Sequence, residues 1–132
     1  DAFRNIYSSI KKITKKSITT VFGCGGDRDK HKRSVMLDVV SKNSDFVIIT
    51  SDNPRNETFD EITKDMLSNS SNDEIKRYFI VEDREQAIKL GCTLSIQKKS
   101  LLLVAGKGHE KFQEKNGIKT PFDDKKIIIK YS

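Results

Sequence analysis

The apolar run FVIIT (46–50) is followed by SDNPRNE (51–57) and then by TFDEITKDML (58–67). The first stretch is rich in β-branched residues, which favours a buried strand. The third begins with Thr58 and carries Glu61 three positions later, which is the pattern of a helix N-terminal capping box. A strand, a short loop and a helix in this order indicate one half of a β–α–β unit.

The same alternation continues on both sides of this unit. The predicted strands are 18–22, 46–50, 77–81 and 100–105, and the predicted helices are 2–16, about 31–43, one opening after Thr58 and one opening at Asp83. Strands that alternate with helices predict an α/β fold of the Rossmann-like, doubly wound type, with a mainly parallel sheet flanked by helices.

The C-terminal part departs from this alternation. Asn116-Gly117 predicts a tight hairpin, which we expect to add an antiparallel edge to the sheet at the C-terminal end. The tail leaves two interpretations open, because Asp123 is a helix-capping type whereas Ile127 to Ile129 favour a strand. The polar segment 68–74 is expected to be an irregular loop.

Length and composition indicate one domain, residues 1–132, with a single sizeable core. No apolar stretch approaches the roughly 18 residues of a membrane span, and the N-terminus lacks the apolar centre of a signal peptide. Two isolated cysteines, Cys24 and Cys92, suit neither a disulfide framework nor a zinc site. We therefore expect a cytoplasmic protein without a metal site or membrane contact, and a chain opening on Asp1 is expected to be a piece of a longer one.

The net charge of +6 raises the question of a nucleic-acid partner. Residues 1–16 hold five Lys/Arg against one acid and residues 107–132 hold seven against four, whereas 17–106 hold 13 against 14. The excess lies at the two ends, and the aromatic residues are not interleaved with basic ones. We interpret the lysines as solvated helix faces and expect no nucleic-acid partner.

Unusual residues follow three of the four predicted strands. The strand exits read GCGGDRDKHKR (23–33), SDNPR (51–55) and GKGHE (106–110). In a parallel sheet, ligands bind beyond the carboxyl ends of the strands, so the three loops are expected to converge on one rim. This convergence predicts a binding site.

Each loop has both a structural and a functional interpretation. The triplet Asp27 to Asp29 could face a ligand or cap the following helix. Arg55, on a turn made rigid by proline, suits a bidentate grip on a carboxylate, and Asp52 suits an ammonium group, but Arg55 could instead pair with Glu57. Glu110 could take a second ammonium or pair with a neighbouring lysine, Lys107 or Lys111.

The three loops together, FGCGGDRDKHKR, SDNPRNE and LLVAGKGHE, closely resemble the C-terminal domain of the Mur ligase family, of the MurE type, the UDP-N-acetylmuramoyl-tripeptide synthetases. The resemblance covers nearly the whole chain. It implies an ATP-dependent ligase of peptidoglycan synthesis, which forms an acyl phosphate on UDP-MurNAc-L-Ala-D-Glu and lets an amino acid's amine attack it. ATP and Mg²⁺ would be held mainly by a central domain, because no phosphate-binding loop or Mg²⁺ carboxylate set occurs here.

The motif DNPR resembles the version associated with meso-diaminopimelate. By this resemblance, the substrate-binding residues are Arg28, Asp52, Asn53, Arg55, Gly106 and Glu110, with Arg55 holding the distal carboxylate that lysine lacks. The neighbourhood of Asp29, Lys30 and Lys32 would approach the ATP phosphates. No residue of the chain is expected to be catalytic, and the chain alone is expected to be inactive.

Two departures from the family pattern are visible. HKRS (31–34) stands where the family usually has GKRP, and serine rather than an acid precedes DNPR. Two alternative functions stay open at this point: a lysine-adding ligase domain, or a ligase-derived module that has lost its chemistry and serves in interactions.

Overall fold

The computed structural model describes residues 2–107 and 109–132. The helices are α1 (Ala2–Ile13), α2 (His31–Asn43), α3 (Phe59–Met66), α4 (Asn72–Ile75), α5 (Arg84–Lys98) and α6 (Asp124–Tyr131). The strands are β1 (Ile18–Phe22), β2 (Phe46–Ile49), β3 (Phe79–Ile80), β4 (Leu101–Ala105), β5 (Phe112–Lys115) and β6 (Ile118–Pro121).

The main sheet has four parallel strands in the order β3-β2-β1-β4. The chain runs outward from β1 to β3 and then returns to the other side of β1 to form β4. The strand order therefore reverses between β1 and β4, and in open α/β sheets the crevice at such a reversal is where ligands bind. The predicted parallel, doubly wound sheet is confirmed.

Helices cover both faces of this sheet. Phe22 and Ile49 face the core that contains Leu37 of α2 and Ile62 of α3. Their strand neighbours Val21 and Ile48 face the opposite core, which contains Ala87 and Ile88 of α5 together with side chains of α6. Adjacent strand residues thus point into different cores, as the pleat of a strand requires, and burial on both faces explains the continuous apolar runs.

Local helix signals act as predicted at two positions. Thr58 and Glu61 form the reciprocal capping box that opens α3, and Asp83 accepts a hydrogen bond from the Gln86 amide at the start of α5. Asp123 also caps a helix, α6, which decides the open interpretation of the tail. Side-chain acceptors satisfy amide groups that have no partner within the helix.

Three predictions about element boundaries are wrong. The segment 68–74 is not an irregular loop throughout, because Ser71 and Glu74 form a second capping box that opens α4. The third strand contains two residues rather than five. The first helix ends at Ile13 rather than at residue 16, where the Thr14 hydroxyl accepts a hydrogen bond from the Lys16 amide. Such local side-chain bonds compete with helix continuation.

The hairpin forms as predicted but not as an edge of the sheet. Asn116 and Gly117 both have positive φ, 52° and 78°, which suits the tight turn between β5 and β6. The two strands form a sheet of their own. A bridge between Lys115 and Arg55 and a hydrogen bond from the Glu114 amide to Asn53 Oδ1 join it to the loop after β2. The hairpin therefore lies on this loop instead of extending the main sheet.

None of the helices within residues 2–107 and 109–132 combines the length and the apolar character that crossing a membrane requires.

Candidate functional site

Glycines bring the loop after β1 into backbone contact with the loop after β2. A Cβ atom on Gly23 would lie 2.2 Å from the Thr50 carbonyl oxygen, and one on Gly26 would lie 1.8 Å from the Pro54 carbonyl oxygen. The Gly26 amide donates a 2.8 Å hydrogen bond to the carbonyl of Asn53. Any larger residue at these positions would separate the two loops.

The loop after β4 joins the same region. Gly106 has a φ of +114°, which disfavours side chains, and its Cβ position would be 3.4 Å from the Gly23 carbonyl oxygen and 3.9 Å from the Asp52 carboxyl carbon. The three strand exits therefore meet at one rim, next to the reversal between β1 and β4. Gly108, the second glycine of the third motif, lies outside the described residues.

Asn53 is the buried centre of this rim, with 1% of its surface exposed. Its Oδ1 accepts hydrogen bonds from the Glu114 amide at 2.9 Å and from Lys107 Nζ at 3.0 Å. Two donors on the oxygen fix the orientation of the amide, so Nδ2 points to Glu110 and donates to its Oε1 at 3.0 Å. Glu110 is thereby held at the rim.

Lys107 is not a surface partner of Glu110, so this one of the two alternatives is wrong. Its side chain is fully buried and forms a 2.9 Å ion pair with Asp52 Oδ1. Nζ also donates to the Phe112 carbonyl at 2.8 Å. Asp52 therefore meets an ammonium group from its own chain. The pairing depends on how the loop after β4 approaches the loop after β2, which local sequence does not reveal.

Arg55 is held at both its backbone and its side chain. Its φ of 53° is left-handed, its amide donates to the Glu114 carbonyl at 2.9 Å, and its carbonyl accepts from Asn116 at 2.8 Å. Nη1 donates to the Gly26 carbonyl at 3.0 Å, and Nε lies 3.3 Å from Glu114 Oε1. Among the described residues Nη2 has no hydrogen-bond partner, and 17% of the side chain is exposed.

The expected alternative partner of Arg55, Glu57, is engaged elsewhere. Arg33, 2% exposed, donates to both Glu57 oxygens at 2.8 and 2.9 Å, to Asp65 at 2.8 Å and to the Gly25 carbonyl at 3.0 Å. Its hydrogen bonds, above all, lower the pKa of Glu57 from 4.5 to about 2. Reasoning from the sequence missed this cluster. The one signal in the sequence that could have indicated it is the basic position in HKRS.

Arg28 lies beside Arg55 on the other side of Gly25. A Cβ atom on Gly25 would be 2.8 Å from Arg55 Nη1 and 3.5 Å from Arg28 Cγ. Arg28 is exposed, as are Asp29, Lys30 and Lys32 on the same loop and helix start. The Arg55 guanidinium and the stem of the Arg28 side chain thus both lie next to Gly25.

Asp29 has a structural role at this helix start, because its Oδ1 accepts a hydrogen bond from the His31 amide at 3.0 Å. Within the loop, Cys24 is buried, and burial raises the pKa of its thiol to about 12. A thiol of this kind is a packing group rather than a nucleophile. Within residues 2–107 and 109–132, no group of three or more His, Cys, Asp or Glu side chains could hold a metal ion.

Comparison with known proteins assigns the chain to a family. The family model described as "Mur ligase, glutamate ligase domain" matches residues 1–108. The chain belongs to the Mur ligase family.

Individual relatives agree with this assignment. The UDP-N-acetylmuramoyl-L-alanyl-D-glutamate--2,6-diaminopimelate ligase of Cytophaga hutchinsonii is 46% identical over 129 residues, 97% of this chain. The ligase of the same name from Phocaeicola vulgatus is 45% identical over 130 residues, also 97% of the chain. The resemblance to MurE-type ligases expected from the three loops is confirmed.

A solved structure of a ligase with the same name superposes with a TM-score of 0.89 at 36% identity, and the match covers 99% of this chain. The chain spans only about a quarter of the length of these relatives, 26% and 27% of the two ligases and 26% of the solved one.

Proposed function

We propose that residues 1–132 form the amino-acid-binding C-terminal domain of a cytoplasmic, ATP-dependent ligase that adds meso-diaminopimelate to UDP-MurNAc-L-Ala-D-Glu in peptidoglycan synthesis. The likeness to diaminopimelate ligases over 97% of the chain supports the reaction class. The observation that carries the substrate assignment is Arg55, whose Nη2 has no partner among the described residues and stands at the meeting point of three loops.

The charges around Arg55 fit an amino acid with two zwitterionic ends. Arg28 and Arg55 flank Gly25 and would receive the distal carboxylate. Asp52, with Lys107 as its counter-ion, and Glu110, held by the Asn53 amide, supply acceptors for ammonium groups. The exposed backbone of Gly106, beside Asp52, allows close approach of the ligand.

Lysine is similar in length to diaminopimelate but lacks the distal carboxylate. Bound in this site, it would leave the Arg55 guanidinium without an anionic ligand group, and sites built around such a partner reject the analogue by about 10⁴-fold. This asymmetry favours diaminopimelate over lysine as the substrate.

The chain's own part in the reaction is binding and orientation. In the proposed reaction ATP phosphorylates the dipeptide carboxylate, and the substrate amine then displaces phosphate to form the amide. Asp29, Lys30 and Lys32 are exposed on one side of the rim, where they would approach the ATP phosphates across a domain cleft. No catalytic residue or Mg²⁺ ligand is assigned to this chain, and we expect the chain alone to be inactive.

An assay of the full-length protein that carries this chain tests the proposal. With ATP and UDP-MurNAc-dipeptide, we expect product formation with meso-diaminopimelate and at least about 10³-fold lower kcat/KM with lysine. Arg55→Ala should lower kcat/KM for diaminopimelate by about 10³-fold, whereas Arg77→Ala, at an exposed arginine, should change it less than about twofold.

Three results would contradict the proposal. Preference for lysine would indicate a lysine-adding ligase, and inactivity with both amino acids would favour a ligase-derived interaction module. Full activity of Arg55→Ala on diaminopimelate would exclude Arg55 as the carboxylate ligand.

A further inference from the structure

The end of the sheet opposite the rim brings together the last turns of three helices. The helices α1, α2 and α5 each lead into a strand, β1, β2 and β4, through a connection of a few residues. Because these strands are parallel, their amino ends meet at one edge of the sheet and their carboxyl ends at the other, where the rim lies. The three helices therefore end on a face that lies at the far side of the domain from Arg55.

Lysines dominate this end face. Four of them line one open cleft at the ends of α1 and α2, where Lys11 Nζ donates a 2.5 Å hydrogen bond to Asn43 Oδ1. The end of α5 is adjacent, because the Leu101 amide donates to the Ser17 carbonyl at 2.8 Å. We call this surface the lysine face, and its exposed members are Lys11, Lys12, Lys15, Lys16, Lys42, Lys98 and Lys99.

The charge of the lysine face is largely uncompensated within the described residues. Lys42 pairs with Asp38 at 3.0 Å, and Asp45, the acid that lines the cleft, accepts the Ile18 amide at 2.9 Å. Apart from Lys11 and Lys42, the ammonium groups of this face form neither an ion pair nor a hydrogen bond with any part of the chain that the structure describes. Most of the positive charge is thus available to an external anion.

The helix dipoles explain only part of this arrangement. A lysine in the last turn of a helix is favoured by the partial negative charge of the terminal carbonyls, and Lys12 and Lys98 fit this role. Lys15 and Lys16 lie beyond α1, which ends at Ile13, and the dipole effect is confined to the last turn. Their charge on this face therefore has no structural use within the helix.

Two aliphatic side chains project among these lysines. Ile13 is 86% exposed, the largest value among the large apolar side chains that the structure describes, and Ile96 in the last turn of α5 is 67% exposed. Each lies next to a lysine pair in the sequence. Exposed aliphatic groups among lysines suit the membrane interface, where the apolar group enters the headgroup region and the lysines attract acidic lipids.

Other anionic partners fit the lysine face less well. Protein interfaces are enriched in aromatic residues and arginine and depleted in lysine. Among the described residues that line the cleft, none is aromatic and none is arginine. Single-stranded nucleic acid binds on aromatic side chains that stack with bases, and a phosphate backbone makes no use of exposed isoleucines. The combination of lysine and isoleucine favours a lipid surface.

We propose that the lysine face docks the protein on an anionic membrane surface, with Ile13 inserted among the lipid headgroups and the lysines bound to acidic headgroups. This inference goes beyond the proposed function and does not depend on which amino acid the rim binds. The rim lies at the opposite end of the sheet, so docking leaves it open to its ligand.

The proposal departs from the expectation of no membrane contact, which rested on the lack of an apolar span. Docking at the interface requires no span. The count of charges by segment could not reveal the lysine face, because Lys42, Lys98 and Lys99 belong to the balanced segment 17–106. The fold brings them next to the basic N-terminal segment.

Vesicle flotation of the full-length protein that carries this chain tests the inference. The probes are vesicles of phosphatidylcholine alone and vesicles that also contain about one third phosphatidylglycerol. We expect binding to the anionic vesicles and at least about tenfold weaker binding to the neutral ones. Binding should decrease steeply as salt is raised, because the lysines are exposed.

A pair of charge substitutions locates the binding surface. Lys15→Gln combined with Lys16→Gln should weaken the apparent affinity for anionic vesicles about 30-fold, because each lysine near such a surface contributes a factor of about five. Lys125→Gln combined with Lys126→Gln removes the same charge from exposed positions of α6, which packs on the start of α5 near the rim. This control should change the affinity less than about twofold.

A second pair of substitutions tests insertion of the apolar side chain. Ile13→Ser should weaken binding to anionic vesicles about tenfold, because less apolar surface is buried in the headgroup region. Ile129→Ser makes the same change on α6 at a side chain that is 65% exposed and should stay within about twofold of the wild type. Urea midpoints like that of the wild type will show that all four variants are folded.

Several results would overturn the inference. One is no binding to anionic vesicles, or equal binding to neutral ones. Another is an equal loss in the two double variants, or a loss in Ile13→Ser no larger than in Ile129→Ser. Binding to an RNA oligonucleotide or to a poly-glutamate peptide without binding to anionic vesicles would assign the lysine face to another class of partner. None of these measurements uses the ligase reaction, so the inference and the proposed function fail separately.

Discussion

Arg33 and Arg55 bind adjacent carbonyls of the same loop but have different surroundings. Arg33 Nη2 donates to Gly25 and Arg55 Nη1 donates to Gly26, both at 3.0 Å. The side chain of Arg33 is 2% exposed and has two carboxylate partners at 2.8 Å, whereas that of Arg55 is 17% exposed and has one carboxylate at 3.3 Å.

The difference separates a structural arginine from a ligand-binding one. Both terminal nitrogens of Arg33 donate hydrogen bonds. Its two carboxylate partners balance its positive charge and leave one negative charge in excess. Arg55 has an unused nitrogen among the described residues and only one acid beside it. An arginine that will grip a substrate must keep part of its donor capacity and part of its charge. Position on the loop alone does not distinguish the two residues.

The largest expected effect is the difference in stability between Arg33→Met and Arg55→Met. Removing the cation leaves Glu57, 11% exposed, without its partner, so Arg33→Met should lower the free energy of unfolding by about 3 kcal/mol. Arg55→Met should cost less than about 1 kcal/mol, because its pair with Glu114 is partly exposed. Urea unfolding of both variants measures the two values. Equal losses would remove the distinction between the arginines.

A smaller effect is expected from a substitution in the loop after β1, whose backbone carbonyls bind both arginines. Gly26→Ala would bring Cβ within 1.8 Å of the Pro54 carbonyl oxygen, so the loop must move, and we expect a loss of about 2 kcal/mol in the free energy of unfolding. The movement also displaces the carbonyl that holds Arg55, so KM for diaminopimelate should rise in the full-length protein.

The control for this substitution is Gly117→Ala. Gly117 has a φ of +78° and open space around its Cβ position, so alanine there brings backbone strain without a clash, about 1 kcal/mol. Its KM for diaminopimelate should stay close to that of the wild type. If Gly26→Ala costs no more than Gly117→Ala, the loop accommodates a side chain and does not fix Arg55.

The sequence predicts the parts of the molecule that depend on near neighbours. The apolar runs before Gly23 and Ser51 are strands, Thr58 and Asp83 start helices, and Asn116-Gly117 turns a hairpin. Each of these features depends on side-chain burial or on hydrogen bonds within a few residues, so the local pattern contains the information.

The sequence does not predict which distant groups pair at the rim. Glu57 lies two positions from Arg55 yet pairs with Arg33, and Lys107 lies three positions from Glu110 yet pairs with Asp52. These choices depend on how the loops and the hairpin dock, which no local pattern encodes. The hairpin docked on residues 53–55 is the feature that reasoning from three loops missed, and it supplies Glu114.

The smallest of the three effects concerns the protonation of the Arg33 cluster. The Arg33 hydrogen bonds lower the pKa of Glu57 to about 2, below its usual 4.5. Above the usual value both folded and unfolded chains are ionised, and the stabilisation by this pair is complete. As the pH falls below 4.5 the unfolded chain takes up a proton that the folded chain does not, so stability decreases until the pH passes the folded value.

Glu57→Gln isolates this contribution. We expect the difference in free energy of unfolding between the wild type and Glu57→Gln to shrink from pH 5 to pH 3, because the variant has no proton to bind at this position. At pH 3 the folded carboxyl is still mostly ionised, so only part of the stabilisation is lost. In the Arg33→Met background the same difference should change much less with pH, because the largest cause of the lowered pKa is gone. A slope that persists without Arg33 would assign the shift to another group and would weaken the contrast between the closed cluster and Arg55.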